Sequence, residues 1–228
     1  MSVIAIIPAR GGSKGIPRKN LLPMGSSSLL GHAIECAVES KVFDEIIVTT
    51  EDQEIAEEAA KFDVGVSHRP LEHAGDSAEV DPLLLWTLTN HHFKSGTPDS
   101  CALLYATAPL RRSNHVKEAY EEFVSGGFDS LLSLVADNSY LWERKLGGKT
   151  VQATNYEPAR RAARQDENWN QFYENKAIYF FNVKGFLDTK CRLFGEIGFY
   201  EMSKASSIDI DSKEDYELAK LLRLHGLS

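Results

Sequence analysis

The residues best suited to chemistry open the chain. Ile4-Ala5-Ile6-Ile7 is a short apolar run that stops at Pro8 and gives way to Ala9-Arg10-Gly11-Gly12-Ser13-Lys14-Gly15-Ile16-Pro17-Arg18-Lys19-Asn20. Arg10, Lys14, Arg18 and Lys19 all precede the first carboxylate, Glu35. Glycines let a backbone approach an anion closely and turn N–H groups toward it, while fixed cations neutralise its charge. A polyphosphate site at a strand end needs both properties. Two common nucleotide loops do not fit. A dinucleotide loop wants G-x-G-x-x-G with an acid about twenty residues on, and a Walker loop wants G-x-x-x-x-G-K-[ST]. A merely structural turn would not require four cations.

A second constellation lies far down the chain, at Ile208-Asp209-Ile210-Asp211. In an extended segment residues i and i+2 share a face, so both carboxylates project one way and both isoleucines turn to the core. Paired hard oxygens beside a triphosphate can hold Mg²⁺, whose remaining ligands are phosphate and water. Without a cation, two carboxylates would repel the phosphates. The alternative makes Asp209 a surface residue and Asp211 a helix-flanking acid.

The elements that must position these residues follow from apolar periodicity. Strands are expected at Val3 to Pro8, Glu45 to Thr50, Val64 to Val66, Ser100 to Ala106, Ser130 to Val135 and Ala177 to Val183. Helical spacing runs through Leu29 to Val38, Asp52 to Phe62, Leu83 to Thr89 and Val116 to Val124. Asp81 before Pro82 suits an N-cap followed by a proline in the first helical position. A closing helix is expected after Ser212, with Asp215 completing a capping box. Tyr216, Leu218, Ala219, Leu221 and Leu222 would be its buried face. Alternating strands and helices predict an α/β, Rossmann-like, mainly parallel sheet flanked by helices. Ligands bind such sheets beyond the carboxyl ends of the strands, where the opening loop and the segment after Leu104 both fall. Residues 138–175 change character, with a hairpin expected around Tyr140 to Lys149. They read as an inserted arm within one domain of residues 1–228, too short to bury a core of its own and suited to packing on a second copy of the chain.

Composition bounds the partners. The chain has 228 residues, 43% of them hydrophobic, enough for one sizeable core. Its net charge of −8 argues against nucleic acid or an anionic membrane as the main partner, since both reward a basic face. Cys36, Cys101 and Cys191 are odd in number and widely spaced, which suits reduced thiols in a cytoplasmic protein. No basic leader precedes the first apolar run, and no stretch approaches the roughly 20 apolar residues of a membrane span.

Residues 8–20 resemble the signature of the acylneuraminate cytidylyltransferases, the CMP-sialic acid synthetase family. Other pieces are similar and follow in the family's order: Arg69-Pro70, Ala106-Thr107-Ala108-Pro109-Leu110-Arg111, Arg164-Gln165-Asp166, Asn175-Lys176-Ala177-Ile178-Tyr179 and Ile208 to Asp211. The resemblance implies transfer of CMP from CTP to the anomeric hydroxyl of a nine-carbon 2-keto-3-deoxy sugar acid, with Mg²⁺ and as a homodimer.

It also implies roles. Arg10, Ser13 and Lys19 would contact the triphosphate, Asn20 and Arg69 the nucleotide, and Asp209 and Asp211 the metal, with Asp211 also a possible base. Lys14 and Arg18 stay open between phosphate contact and solvated loop cation. Tyr105 departs from the glutamine that many relatives carry in the sugar pocket, so the acceptor's polar tail is expected to differ from that of N-acetylneuraminate. Arg111 is a candidate sugar-site cation or, alternatively, a cap for the helix near Ser113. Arg164 matches an arginine that reaches the sugar acid from the partner subunit, and a guanidinium suits a carboxylate through two parallel hydrogen bonds. Pseudaminate, legionaminate and the eight-carbon Kdo are competing acceptors. A non-catalytic nucleotide-binding module is the rival from another class.

Overall fold

The computed structural model describes residues 1–13, 15–75, 78–94, 96–160 and 170–226. In chain order the strands are β1 (Val3–Pro8), β2 (Pro23–Met24), β3 (Ser27–Ser28), β4 (Glu45–Thr50), β5 (Gly65–His68), β6 (Ser100–Leu103), β7 (Ser130–Ala136), β8 (Trp142–Arg144), β9 (Val151–Ala153), β10 (Phe172–Asn182) and β11 (Ile197–Glu201). The helices are α1 (Leu29–Ser40), α2 (Gln53–Ala59), α3 (Val80–Asn90), α4 (Ser113–Gly126), α5 (Val183–Thr189) and α6 (Lys213–Leu224).

The main sheet has the order β11-β7-β10-β6-β1-β4-β5. From β1 the chain moves outward through β4 to β5, then returns to β6 on the other side of β1. Connections therefore diverge between β1 and β6, which opens a crevice at the carboxyl ends of those strands. β1 is buried on both faces, as a near-continuous apolar run in a covered sheet should be. Val3, Ala5 and Ile7 join one core cluster with α1 and α4, while Ile4 and Ile6 join another with α3 and α5.

The sheet is parallel except for β10, which runs antiparallel to β6 and β7. Alternation of apolar runs does not reveal strand direction, so this reversal is invisible in the sequence. It has a consequence for the site. Tyr179 lies opposite Leu103 and Asn182 opposite Ser100, so the residues preceding Tyr179 reach the same sheet edge as the residues following β6.

Several boundaries differ from expectation. The N-cap of α3 is Glu79 rather than Asp81, and Asp81 pairs with Arg192 at 2.7 Å. In α6 the capping box of Ser212 and Asp215 is present. Ala219 is buried, but Leu218 and Leu221 are about half exposed because the helix lies at the periphery and covers the core with a narrower stripe. The hairpin is β8 paired with β9. Phe172, Tyr173 and Glu174, within the 138–175 stretch expected as an arm, pair with β7 in the main sheet.

A third apolar cluster joins Ile16 and Met24 to Leu110, Ile210 and Ala219. Burying an isoleucine contributes roughly 2 kcal/mol. Ile16 and Ile210 thus dock the opening loop, the aspartate segment and α6 against one another.

Candidate active site

A cleft of about 480 Å³ opens at the carboxyl edge of β1 and β6. Arg10, Ser13, Lys19, Asn20, Arg69, Tyr105, Asp209 and Asp211 all line it. Residues from five separated stretches, 8–20, 69–83, 105–107, 176 and 209–211, are gathered there. The opening loop and the aspartate pair, almost two hundred residues apart, touch directly: Lys19 Nζ donates to Ile210 O at 2.6 Å and lies 3.1 Å from Asp211 Oδ1.

The loop is fixed by acids at the end of β4. Glu51 accepts from the Gly11 N–H at 2.9 Å and pairs with Arg69 Nη2 at 2.8 Å. Arg69 is buried, its side chain 3% exposed, and Glu51 is partly buried, its side chain 12% exposed. Burial pulls the Arg69 guanidinium down from its ordinary range, and the Glu51 carboxylate opposes that shift. Asp52 caps α2, accepting from Ile55 N, and holds Arg18 at 2.5 Å. That hydrogen bond with Arg18 holds the Asp52 carboxyl below its ordinary range. Arg18 also pairs with Glu54. For Arg18, open on sequence alone between phosphate contact and solvated loop cation, the structure gives a third role, clamping the loop to two carboxylates. Lys14 lies outside the described residues.

Two glycines are required by close approach. A Cβ on Gly11 would meet Asp52 Oδ2 at 2.1 Å, and a Cβ on Gly15 would meet the Asp211 carbonyl oxygen at 2.5 Å. Buried Asn20 donates from Nδ2 to Arg10 O at 3.0 Å, closing the loop on itself.

The aspartate segment is tied to the loop after β6 by Ile210 N donating to Thr107 O at 2.9 Å. Ile210 is fully buried and Asp209 and Asp211 line the cleft, as the alternation requires. Among the described residues no group of three or more His, Cys, Asp or Glu side chains forms a metal cage. Two carboxylates beside a phosphate-suited loop fit Mg²⁺, which takes one or two carboxylates and completes its shell from phosphate and water.

Tyr105 borders the same cleft, and burial pushes its hydroxyl pKa up. Its ring meets Tyr179 edge-on at 6.2 Å, and Tyr179 in turn carries the Arg192 guanidinium 4.8 Å over its face.

Arg111 does not line the cleft. It is buried, and its Nη1 donates to Tyr105 O at 3.0 Å and Ala177 O at 2.7 Å. This one Nη1 group bridges a carbonyl after β6 and another on β10, so Arg111 braces the pocket from behind instead of offering a cation to a ligand. It does not cap α4 either, whose N-cap is Arg112. Arg164 lies outside the described residues.

Sequence reasoning missed Glu51, Asp52 and Lys176. Glu51 and Asp52 directly follow β4 at the ligand edge of the sheet, and that position was the available signal for them, whereas Lys176 lies within β10 at a bulge. Lys176 Nζ lies 2.8 Å from Asp209 Oδ2 and 3.7 Å from Asp211 Oδ2. Its hydrogen bond to Asp209 raises the ammonium pKa.

An open α/β sheet with a cationic, glycine-bearing loop at its switch point and a carboxylate pair across from it defines a nucleotide-binding protein of the phosphoryl-transfer class. Comparison with known proteins narrows the class. The Cytidylyltransferase family model matches residues 4–226, and the chain belongs to that family. It is 33% identical over 221 residues to N-acylneuraminate cytidylyltransferase A of Danio rerio, covering 96% of this chain and 50% of that protein. It is 28% identical to the pseudaminic acid cytidylyltransferase of Campylobacter jejuni, covering 97% and 96% of the two chains. The chain spans about half the length of the first of these relatives. Among solved structures, a CMP:2-keto-3-deoxy-manno-octonic acid synthetase complexed with CTP superposes with a TM-score of 0.70 at 14% identity, covering 99% of this chain and 100% of that one. A 4-diphosphocytidyl-2C-methyl-D-erythritol synthase from Anaerococcus prevotii gives 0.69 at 12% identity, covering 98% of each. These two likenesses concern the fold. No helix among the described residues is long and apolar enough to cross a membrane.

Proposed function

We propose that this chain transfers CMP from CTP to the anomeric 2-hydroxyl of a nine-carbon 2-keto-3-deoxy sugar acid. The observation that carries the reading is the shared cleft of the Arg10–Asn20 loop and the Asp209–Asp211 pair. In the reaction the 2-hydroxyl oxygen attacks the α-phosphorus, the bond to the bridging oxygen of the β-phosphate breaks, and pyrophosphate leaves with the electron pair. The hydroxyl proton passes to a base or to solvent; Asp211, exposed at the cleft, is the carboxylate available for it. Arg10, Ser13 and Lys19 would hold the triphosphate and offset charge that builds in the transition state. Asn20 and Arg69 would position the nucleotide. Asp209 and Asp211 would hold Mg²⁺, which when bound supplies compensating positive charge to the phosphates.

Tyr105 favours a second acceptor reading, pseudaminate or a related acid, and the full-length match to a pseudaminic acid cytidylyltransferase supports it. The half-exposed Leu141, Trp142 and Val151 on the hairpin support a homodimer packed through that segment. A cytoplasmic setting suits its free cysteines. Pyrophosphate release tests the reading, with CTP and N-acetylneuraminate, pseudaminate, legionaminate or Kdo, each with and without Mg²⁺. Release with one of the nine-carbon acids is expected. Binding of CTP without turnover on any acid would replace the reading with that of a nucleotide-binding module.

A further inference from the structure

Lys176 has a backbone that its side chain must justify. Four non-glycine residues among those described have positive φ: Arg18, Lys41, Lys176 and Lys190. Lys41 and Lys190 are ordinary left-handed caps at the ends of α1 and α5. Arg18 is clamped by Asp52 and Glu54. Lys176, at φ 57°, sits inside β10 where six residues, Glu174 to Tyr179, pair across only the three from Leu134 to Leu132 of β7. Glycine would adopt this bulge without steric penalty, whereas lysine is strained there.

The bulge itself is pinned from behind. Buried Asn175 accepts from Ser133 Oγ at 2.6 Å and from Ala177 N at 3.1 Å, and donates to Ser207 Oγ at 2.9 Å. The backbone shape is therefore secured without the lysine side chain, which extends into the cleft with half its surface exposed. There it meets Asp209 at 2.8 Å and Asp211 at 3.7 Å, while Lys19 meets Asp211 from the other side at 3.1 Å. Two ammonium groups balance two carboxylates.

We propose that Lys176 is a built-in counter-cation for the Asp209–Asp211 pair, which keeps a divalent cation from settling on the carboxylates before a nucleotide arrives. A bare cation must displace the ammonium from Asp209 and leave two like charges close together. A triphosphate brings several negative charges, so the ammonium and the metal then each find oxygen ligands. Only this last part rests on the function proposed above.

The test uses Mn²⁺ alone as the probe, titrated by calorimetry and by its electron spin resonance signal, without nucleotide. Lys176→Gly and Lys176→Gln should each bind Mn²⁺ about tenfold tighter than the unaltered chain, the modest size reflecting a partly exposed pair. Adding Asp209→Asn to either should abolish the gain. Thermal melts in EDTA should show both variants folded, and Mn²⁺ should raise their melting temperatures more than that of the parent. Equal Mn²⁺ affinity in all three proteins, or a gain that survives Asp209→Asn, would overturn the proposal. Pyrophosphate release plays no part in these readouts, so failure of the counter-cation role and failure of the transferase reading are separable.

Discussion

The loop lining of the cleft, residues 8–20, is one contiguous stretch held by Glu51 and Asp52 at the end of β4, whereas Tyr105, Lys176 and Asp209 come from three segments far apart in the chain. The first part owes its shape to short-range necessities: glycines where another backbone or carboxylate comes close, and cations paired with acids one strand away. In the second part Lys176 reaches the cleft because β10 reverses direction and bulges, while Asp209 is placed by the tie of its segment to the loop after β6. A contiguous motif can tolerate sequence drift elsewhere, while a collected wall depends on strand direction and register.

The contrast can be broken most severely at Glu51. Glu51→Gln leaves the buried Arg69 charge without its ionic partner, and such losses cost about 3–5 kcal/mol. Urea unfolding should show that deficit, and nucleotide affinity should fall with it because Arg69, which lines the cleft, loses its ionic anchor. An unchanged midpoint would mean that the loop is held by other means. Lys19→Met, which removes the link between the two linings, should lower CMP transfer by about a hundred- to a thousandfold. Steady-state kinetics should place most of that loss in kcat.

Gly15→Ala and Gly12→Ala sharpen the comparison as a matched pair. The added methyl at 15 meets the Asp211 carbonyl oxygen, so a cost of about 1–3 kcal/mol is expected. At 12 nothing lies within 4 Å, and the change should stay within about 0.5 kcal/mol. Equal melting temperatures for the two variants would show that the close approach to Asp211 does not shape the loop.

The smallest effect concerns acid. Asp52 is held below the ordinary aspartate value of about 3.9 by Arg18. A carboxyl with a lowered folded-state pKa adds stability that is complete above its unfolded value and disappears as pH falls through the folded one. Stability measured from pH 6 down to pH 2 should therefore fall less steeply for Asp52→Asn than for the parent below about pH 4. Parallel profiles would remove Asp52 from the list of groups that secure the loop.

Much of the molecule can be read from local pattern. The strand Val3–Pro8 is visible because a centrally buried strand must be apolar on both faces, and the capping box at Ser212 and Asp215 because the chemistry of a helix start is local. Asp209 and Asp211 share a face because strand geometry alternates. Arg111 could not be read this way. An arginine after a strand edge can point into a cleft or tie two carbonyls together, and only the position of Ala177 on the neighbouring strand decides for the second.

The amino-acid sequence by itself therefore determined most of the elements, though not α5 or β11, together with the cationic loop and the acid pair, since each follows from the order of a few neighbouring residues. The tertiary structure alone decided that Lys19 meets Asp211, that Glu51 and Arg69 anchor the loop, and that Lys176 stands beside the carboxylates. Those contacts depend on the direction and register of strands, which are set by how side chains pack across the whole sheet.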